Sequence, residues 1–118
     1  MTDGKPLIVL LENNKNIKIE TIMDQKEVLT VLKKIKTDLQ KKYSIEKLGV
    51  FGSFARNTQT DQSDLDIVVE MNNPSMFDLI GIKQDIEERF NKKVDIVRLR
   101  EKMNKYLKHR IEREAKYV

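Results

Sequence analysis

The chain has 118 residues, 36% of them charged and 39% hydrophobic, with a formal net charge of +4. That balance fits one modest folded domain rather than a disordered chain. No apolar run approaches the roughly 20 residues that cross a bilayer, and the absence of cysteine excludes disulfides and thiolate metal sites.

Residues 1–22 read as a strand pair. Pro6-Leu7-Ile8-Val9-Leu10-Leu11 and Ile17-Lys18-Ile19-Glu20-Thr21-Ile22 flank the turn-rich Glu12-Asn13-Asn14-Lys15-Asn16. The apolar patch Leu7–Leu11 is too short for a secretory signal and lacks a small-residue cleavage site. Asp24 with Glu27 three residues on has the form of a capping box. Val28, Leu29, Val31, Leu32, Ile35 and Leu39 then recur at helical spacing to about Lys42. This is a scaffold helix with lysines on its outer face.

A strand over 47–51 leads into Gly52 and a short helix to about Asn57, where asparagine tolerates positive φ. Arg56, on that turn, is either a solvated helix arginine or one that reaches a bound triphosphate. The polar loop 58–63 precedes a strand, Asp64-Leu65-Asp66-Ile67-Val68-Val69-Glu70, which Asn72-Asn73-Pro74-Ser75 stops. Ser75 is a candidate N-cap for an amphipathic helix through Met76, Leu79, Ile80, Ile82, Lys83, Ile86 and Phe90. A strand over 93–99 follows, and a last helix is expected from about Glu101 to Tyr117 with Met103, Tyr106, Leu107, Ile111 and Ala115 on one side. His109, the one histidine, reads as an exposed helix residue, and it rules out a histidine cluster within one chain. The order ββ-α-β-β-α-β-α predicts an α/β (α+β) domain, a mixed sheet and a layer of helices.

The chemistry concentrates at two points. Asp64 and Asp66, two residues apart on a strand, share one face. At about 5 Å and an effective dielectric of about 20, their charges repel by about 3 kcal/mol. A hard divalent cation with oxygen ligands, Mg²⁺ being the usual case, relieves that repulsion; a solvated pair at a strand edge is the other reading. Gly52 permits a tight turn, and Ser53 adds a hydroxyl where a short helix begins, a combination suited to holding an anion. Asp95 lies among Val94, Ile96 and Val97, in what is expected to be a central strand, where a carboxylate is costly unless paired or metal-bound. Three carboxylates and a phosphate cradle point to two-metal phosphoryl or nucleotidyl transfer.

Lysines gather over Lys33–Lys47 and Arg100–Lys116. No aromatic stacking platform accompanies them, so they read as solvated helix faces, with an acidic partner or RNA as the remaining readings.

Gly52-Ser53, ten residues, then Asp64-x-Asp66 with a later Asp95 resembles the MNT-domain minimal nucleotidyltransferases of the DNA polymerase β-like superfamily. The wording Phe51-Gly52-Ser53-Phe54-Ala55-Arg56 and Ser63-Asp64-Leu65-Asp66-Ile67-Val68-Val69-Glu70 is similar to the MntA-type antitoxins paired with HEPN-domain toxins. The likeness runs on through Phe77–Gly81 and Lys93–Val97 to Ile111–Val118, with Asn57 standing where many relatives carry glycine. The resemblance implies a polymerase β-like fold over residues 23–118, a minimal nucleotidyltransferase domain, with residues 1–22 as an N-terminal β-rich extension. It implies that Asp64, Asp66 and Asp95 hold Mg²⁺, that Asp95 also takes a proton, and that the Gly52 N–H and Ser53 hydroxyl bind the β- and γ-phosphates of ATP. It implies a cytoplasmic enzyme that moves AMP from ATP to a tyrosine hydroxyl of a HEPN-domain RNase toxin. Transfer to a small molecule or RNA end, and an antitoxin that acts by binding alone, are the alternatives. Assembly with the toxin or with further copies of the chain fits either.

Overall fold

The computed structural model describes residues 23–118. The strand pair expected within residues 1–22 lies outside the described residues.

Helix α1 spans Gln25–Tyr43 and opens on the expected capping box. The Asp24 carboxylate accepts the Glu27 N–H at 2.8 Å, while the Glu27 side chain accepts the Asp24 N–H at 3.1 Å. Its apolar stripe of Val28, Leu32, Ile35 and Leu39 is buried, as the 3.6-residue period demands. Ser44, in the left-handed region, ends it and turns the chain into strand β1, Ile45–Phe51.

Gly52 then turns the chain into α2, Ser53–Arg56, whose end is left-handed at Asn57 as the asparagine suggested. Strand β2, Leu65–Met71, runs antiparallel to β1, and α3, Met76–Phe90, starts on a second capping box between Ser75 and Asp78. Strand β3, Val94–Arg98, lies parallel to β2, after the crossover that a parallel pair requires.

The last helix is shorter than its apolar spacing suggests. Helix α4 covers Lys105–Glu114, capped by Asn104, and Lys116–Tyr117 forms strand β4 instead of a final helical turn. The reason is tertiary: β4 pairs antiparallel with the free edge of β1, Gly49 opposite Tyr117 and Val50 opposite Lys116. Val118 N–H donates to the Leu48 carbonyl at 2.9 Å, and Lys36 Nζ reaches the Val118 carbonyl at 2.7 Å. Those bonds satisfy backbone groups that an extra turn of helix would leave at a bare sheet edge.

The sheet order is β3-β2-β1-β4. Helices α1 and α3 pack on one face, burying Leu48, Val50, Leu65, Ile67, Val69 and Val94 against their apolar stripes. The α/β (α+β) class holds, with one addition to a two-layer arrangement. Helix α4 covers the opposite face, where Ile111 is fully buried with Phe51 and Val68, and Val97, Leu99, Met103, Leu107 and Ala115 close around them. Tyr106, placed by spacing with that apolar side, is 87% exposed, and so at 71% is Met76 at the start of α3. Both stand in the first turn of their helix.

Candidate active site

In-register residues of neighbouring strands point to the same face of a sheet, about 4.8 Å apart. The register places Phe51 of β1 opposite Asp66 of β2, and Asp66 opposite Asp95 of β3. One row across three strands therefore carries an aromatic and two carboxylates, on the face that α4 covers further along. Asp64, the residue just before β2, is near enough for its charge to act on Asp66. The row lies where β1 ends and β2 and β3 begin, so the Gly52 turn stands beside it.

Contact between the turn and the row is close. A Cβ on Gly52 would run into the Asp66 carboxylate, 2.9 Å from its Cγ, and Gly52 itself has φ +75°. That conformation belongs to glycine, and it lets the backbone pass against the carboxylate. Ser53 follows directly, partly exposed.

Burial pushes the half-exposed Asp66 carboxyl up from 3.8 to about 6, and the charge of Asp95 adds to the rise, as does Asp64. Arg110 and Arg56 pull the other way. Asp66 is thus reluctant to carry its charge without a cation nearby.

Asp95 differs from its sequence reading. Among the described residues its strand is an edge of the sheet rather than a central strand, because β3 pairs there with β2 alone, and Asp95 is exposed. The cost of burying a carboxylate among aliphatics does not arise there; Val94 takes the core-facing position and Asp95 faces out. The argument for a ligand at Asp95 rests on its register with Asp66 instead.

The donor chemistry suits a hard divalent cation such as Mg²⁺: carboxylate oxygens near one another, a mutual repulsion to relieve, and, among the described residues, no ion pair to any of the three. Among the described residues no three acidic or histidine groups close into a tight metal cage. Asp64 lies ahead of β2 and Asp95 on β3, the edge strand among the described residues, so within these residues the set is an open-sided one.

Glu114 enters the site without a sequence signal. Its Oε1 accepts the Gly52 N–H at 2.9 Å, Arg56 Nη1 at 2.8 Å and Arg110 Nε at 3.4 Å. The Gly52 N–H, expected to face phosphate, is held by this carboxylate. Arg110 also stands over the Phe51 ring, 5.8 Å from its centre. Gln25, the first residue of α1, steadies the turn from behind, donating through Nε2 to the Phe54 and Ala55 carbonyls at 3.1 and 2.9 Å. His109 is exposed, as expected.

A family model described as polymerase beta, nucleotidyltransferase, matches residues 33–118, most of the chain, with Gly52, Ser53, Asp64, Asp66, Asp95 and Glu114 among them. The chain belongs to the polymerase beta nucleotidyltransferase family. Curated members of similar sequence include a Methanocaldococcus jannaschii protein named as a candidate protein adenylyltransferase, 36% identical over 103 residues, covering 85% of this chain and all of that one. The protein adenylyltransferase MntA of Thermococcus cleftensis is 28% identical over 93 residues, 78% of this chain and 93% of its own. Among solved structures, a candidate minimal nucleotidyltransferase superposes with a TM-score of 0.65 at 29% identity, covering 79% of this chain and 94% of that one. Two more distant structures share the fold. A toxin–antitoxin with AMP-PNP gives a TM-score of 0.61 at 22% identity, over 71% and 69% of the two chains. A tri-AMPylated Shewanella oneidensis HEPN toxin in complex with MNT antitoxin gives 0.59 at 20%, over 79% and 70%. No described helix of this nucleotidyltransferase is long and apolar enough to cross a membrane.

Proposed function

We propose that this nucleotidyltransferase is a cytoplasmic protein adenylyltransferase of the antitoxin kind, moving AMP from ATP to a tyrosine hydroxyl of a HEPN-domain toxin and so neutralising it. The observation that carries the reading is the register that sets Asp66 beside Asp95, near Asp64 and against the Gly52-Ser53 turn. Relatives named for adenylyl transfer to protein support the choice of reaction, and the toxin complexes of the same fold support the partner.

In this reading residues 23–118 are the catalytic domain and residues 1–22 an extension of it. Asp64, Asp66 and Asp95 would hold Mg²⁺, which when bound neutralises charge on the phosphates and the attacking oxygen. Ser53 supplies its hydroxyl to the β- and γ-phosphates at the Gly52 turn. Arg56 and Arg110 bring positive charge to the same side, where pyrophosphate charge develops. The hydroxyl oxygen attacks the α-phosphorus in line, the bond to the β-phosphate bridging oxygen breaks, and pyrophosphate leaves. Asp95, exposed on the edge strand, faces the side from which an acceptor enters and takes the hydroxyl proton. The site is open on that side, so the acceptor protein completes it.

The test is intact-protein mass spectrometry of the co-encoded toxin after incubation with ATP, Mg²⁺ and this chain. AMP-sized increments are expected with the wild type and none with Asp64→Ala, Asp66→Ala. A complex that forms without any increment would replace this reading with neutralisation by binding; no complex and no increment would move the acceptor to an RNA end or a small molecule.

A further inference from the structure

The Glu114 carboxylate lies outside the residues that the sequence motif picks out, yet it ties three parts of the site together. We infer that Glu114 is a positioning residue for nucleotide binding, an inference that rests on the nucleotidyltransfer reading above. Its side chain is only 13% exposed, and a carboxylate so enclosed needs its donors. One oxygen, Oε1, collects all three: the Gly52 N–H, Arg56 Nη1 and Arg110 Nε.

Each donor belongs to the ground around Asp66. Gly52 is the backbone against which the Asp66 carboxylate lies. Arg56 and Arg110 are the two cations that act on the Asp66 charge. A guanidinium has five N–H donors in a fixed plane, so a bond through one nitrogen sets the direction of the rest. Glu114 therefore aims two arginines whose remaining donors have no hydrogen-bond partner among the described residues, which leaves them to a triphosphate, and Phe51 stands beside Arg110.

The scaffold holds Glu114 from both directions. It is the last residue of α4, with the Ala115 N–H bonded to the Ile111 carbonyl at 2.8 Å. Two residues on, β4 is paired to β1. The Gly52 N–H being taken, the phosphate contacts fall to Ser53 and the two arginines.

The experiment is calorimetric titration of the whole chain with Mg²⁺ and an ATP analogue that cannot be cleaved between its α- and β-phosphates. Glu114→Ala and Arg56→Ala are each expected to weaken binding about tenfold, and the double variant to bind no more weakly than Glu114→Ala alone. Glu114→Gln keeps an acceptor for the Gly52 N–H and is expected to recover part of the loss. A purely structural role would give additive losses that track the fall in melting temperature, and that result overturns the inference. So does wild-type binding that Glu114→Ala leaves unchanged. A wild-type chain that fails to bind the analogue would instead bring down the nucleotidyltransfer reading, and this inference with it.

Discussion

The Asp66 carboxylate occupies the space into which any side chain on Gly52 would project. Strand β2 and the β1–α2 turn can approach this closely only because residue 52 has no Cβ, and its φ of +75° also suits glycine alone. Gly52→Ala is therefore expected to cost about 2–3 kcal/mol from the disfavoured backbone and the displaced carboxylate together. Urea unfolding checks the figure; a loss below about 0.5 kcal/mol would mean that the turn relaxes freely.

Asp66 also makes stability depend on pH in an unusual direction for a carboxylate. Its folded pKa is raised to about 6 from 3.8, mainly by burial and then by Asp95. The folded state thus holds the proton more tightly than the unfolded chain. The contribution is fully present below the lower value and is lost as pH rises through the upper one. Solvent screening at this half-exposed group brings the effect to about 1 kcal/mol. In a chelator-containing buffer, Asp66→Asn should remove this decline between about pH 4 and pH 6. Equal pH profiles for the variant and the wild type would contradict it.

Gly49 serves the other edge of the sheet. A Cβ there would meet the Lys116 carbonyl oxygen at 2.7 Å and Tyr117 Cδ1 at 2.9 Å. Gly49→Ala is expected to push β4 from β1 while leaving the β1–β2 ladder in place. Amide hydrogen exchange should then speed up at residues 116–118, where Val118 N–H bonds to Leu48, and not in β2. Unchanged protection at Val118 would show that the strand accommodates the methyl group.

Ile111 and Tyr106 occupy one helix with opposite fates. Ile111 is fully buried between α4 and the sheet, and Ile111→Ala should cost about 2–4 kcal/mol. Tyr106 is 87% exposed, and Tyr106→Ala should stay within about 0.5 kcal/mol of the wild type. Thermal or urea unfolding of the two variants distinguishes them. A large loss at Tyr106 would mean that its ring is covered rather than exposed.

Much of the site is written locally. The spacing of Asp64 and Asp66 marks an acidic pair at the start of a strand whatever that strand pairs with, and a glycine before Ser53 marks the turn. Asp24 with Glu27, and Ser75 with Asp78, start helices through bonds spanning three residues, which the chain carries wherever it folds. Asp95 is legible as a candidate but for a reason that the fold removes, since Val94 takes the core-facing position on β3 and Asp95 the exposed one.

What sequence by itself determined were the helices α1 to α3, the strands β1 to β3 and the identity of the acidic pair, because periodicity, capping and turn chemistry act over a few neighbours. Only the tertiary structure decided the register of Asp66 with Asp95, the end of α4 at Glu114 and the strand after it. Those depend on partners far along the chain: β3 against β2, β4 against β1, and Glu114 against a glycine 62 positions earlier. Strand edges and single carboxylates carry no local mark of the partner that will satisfy them.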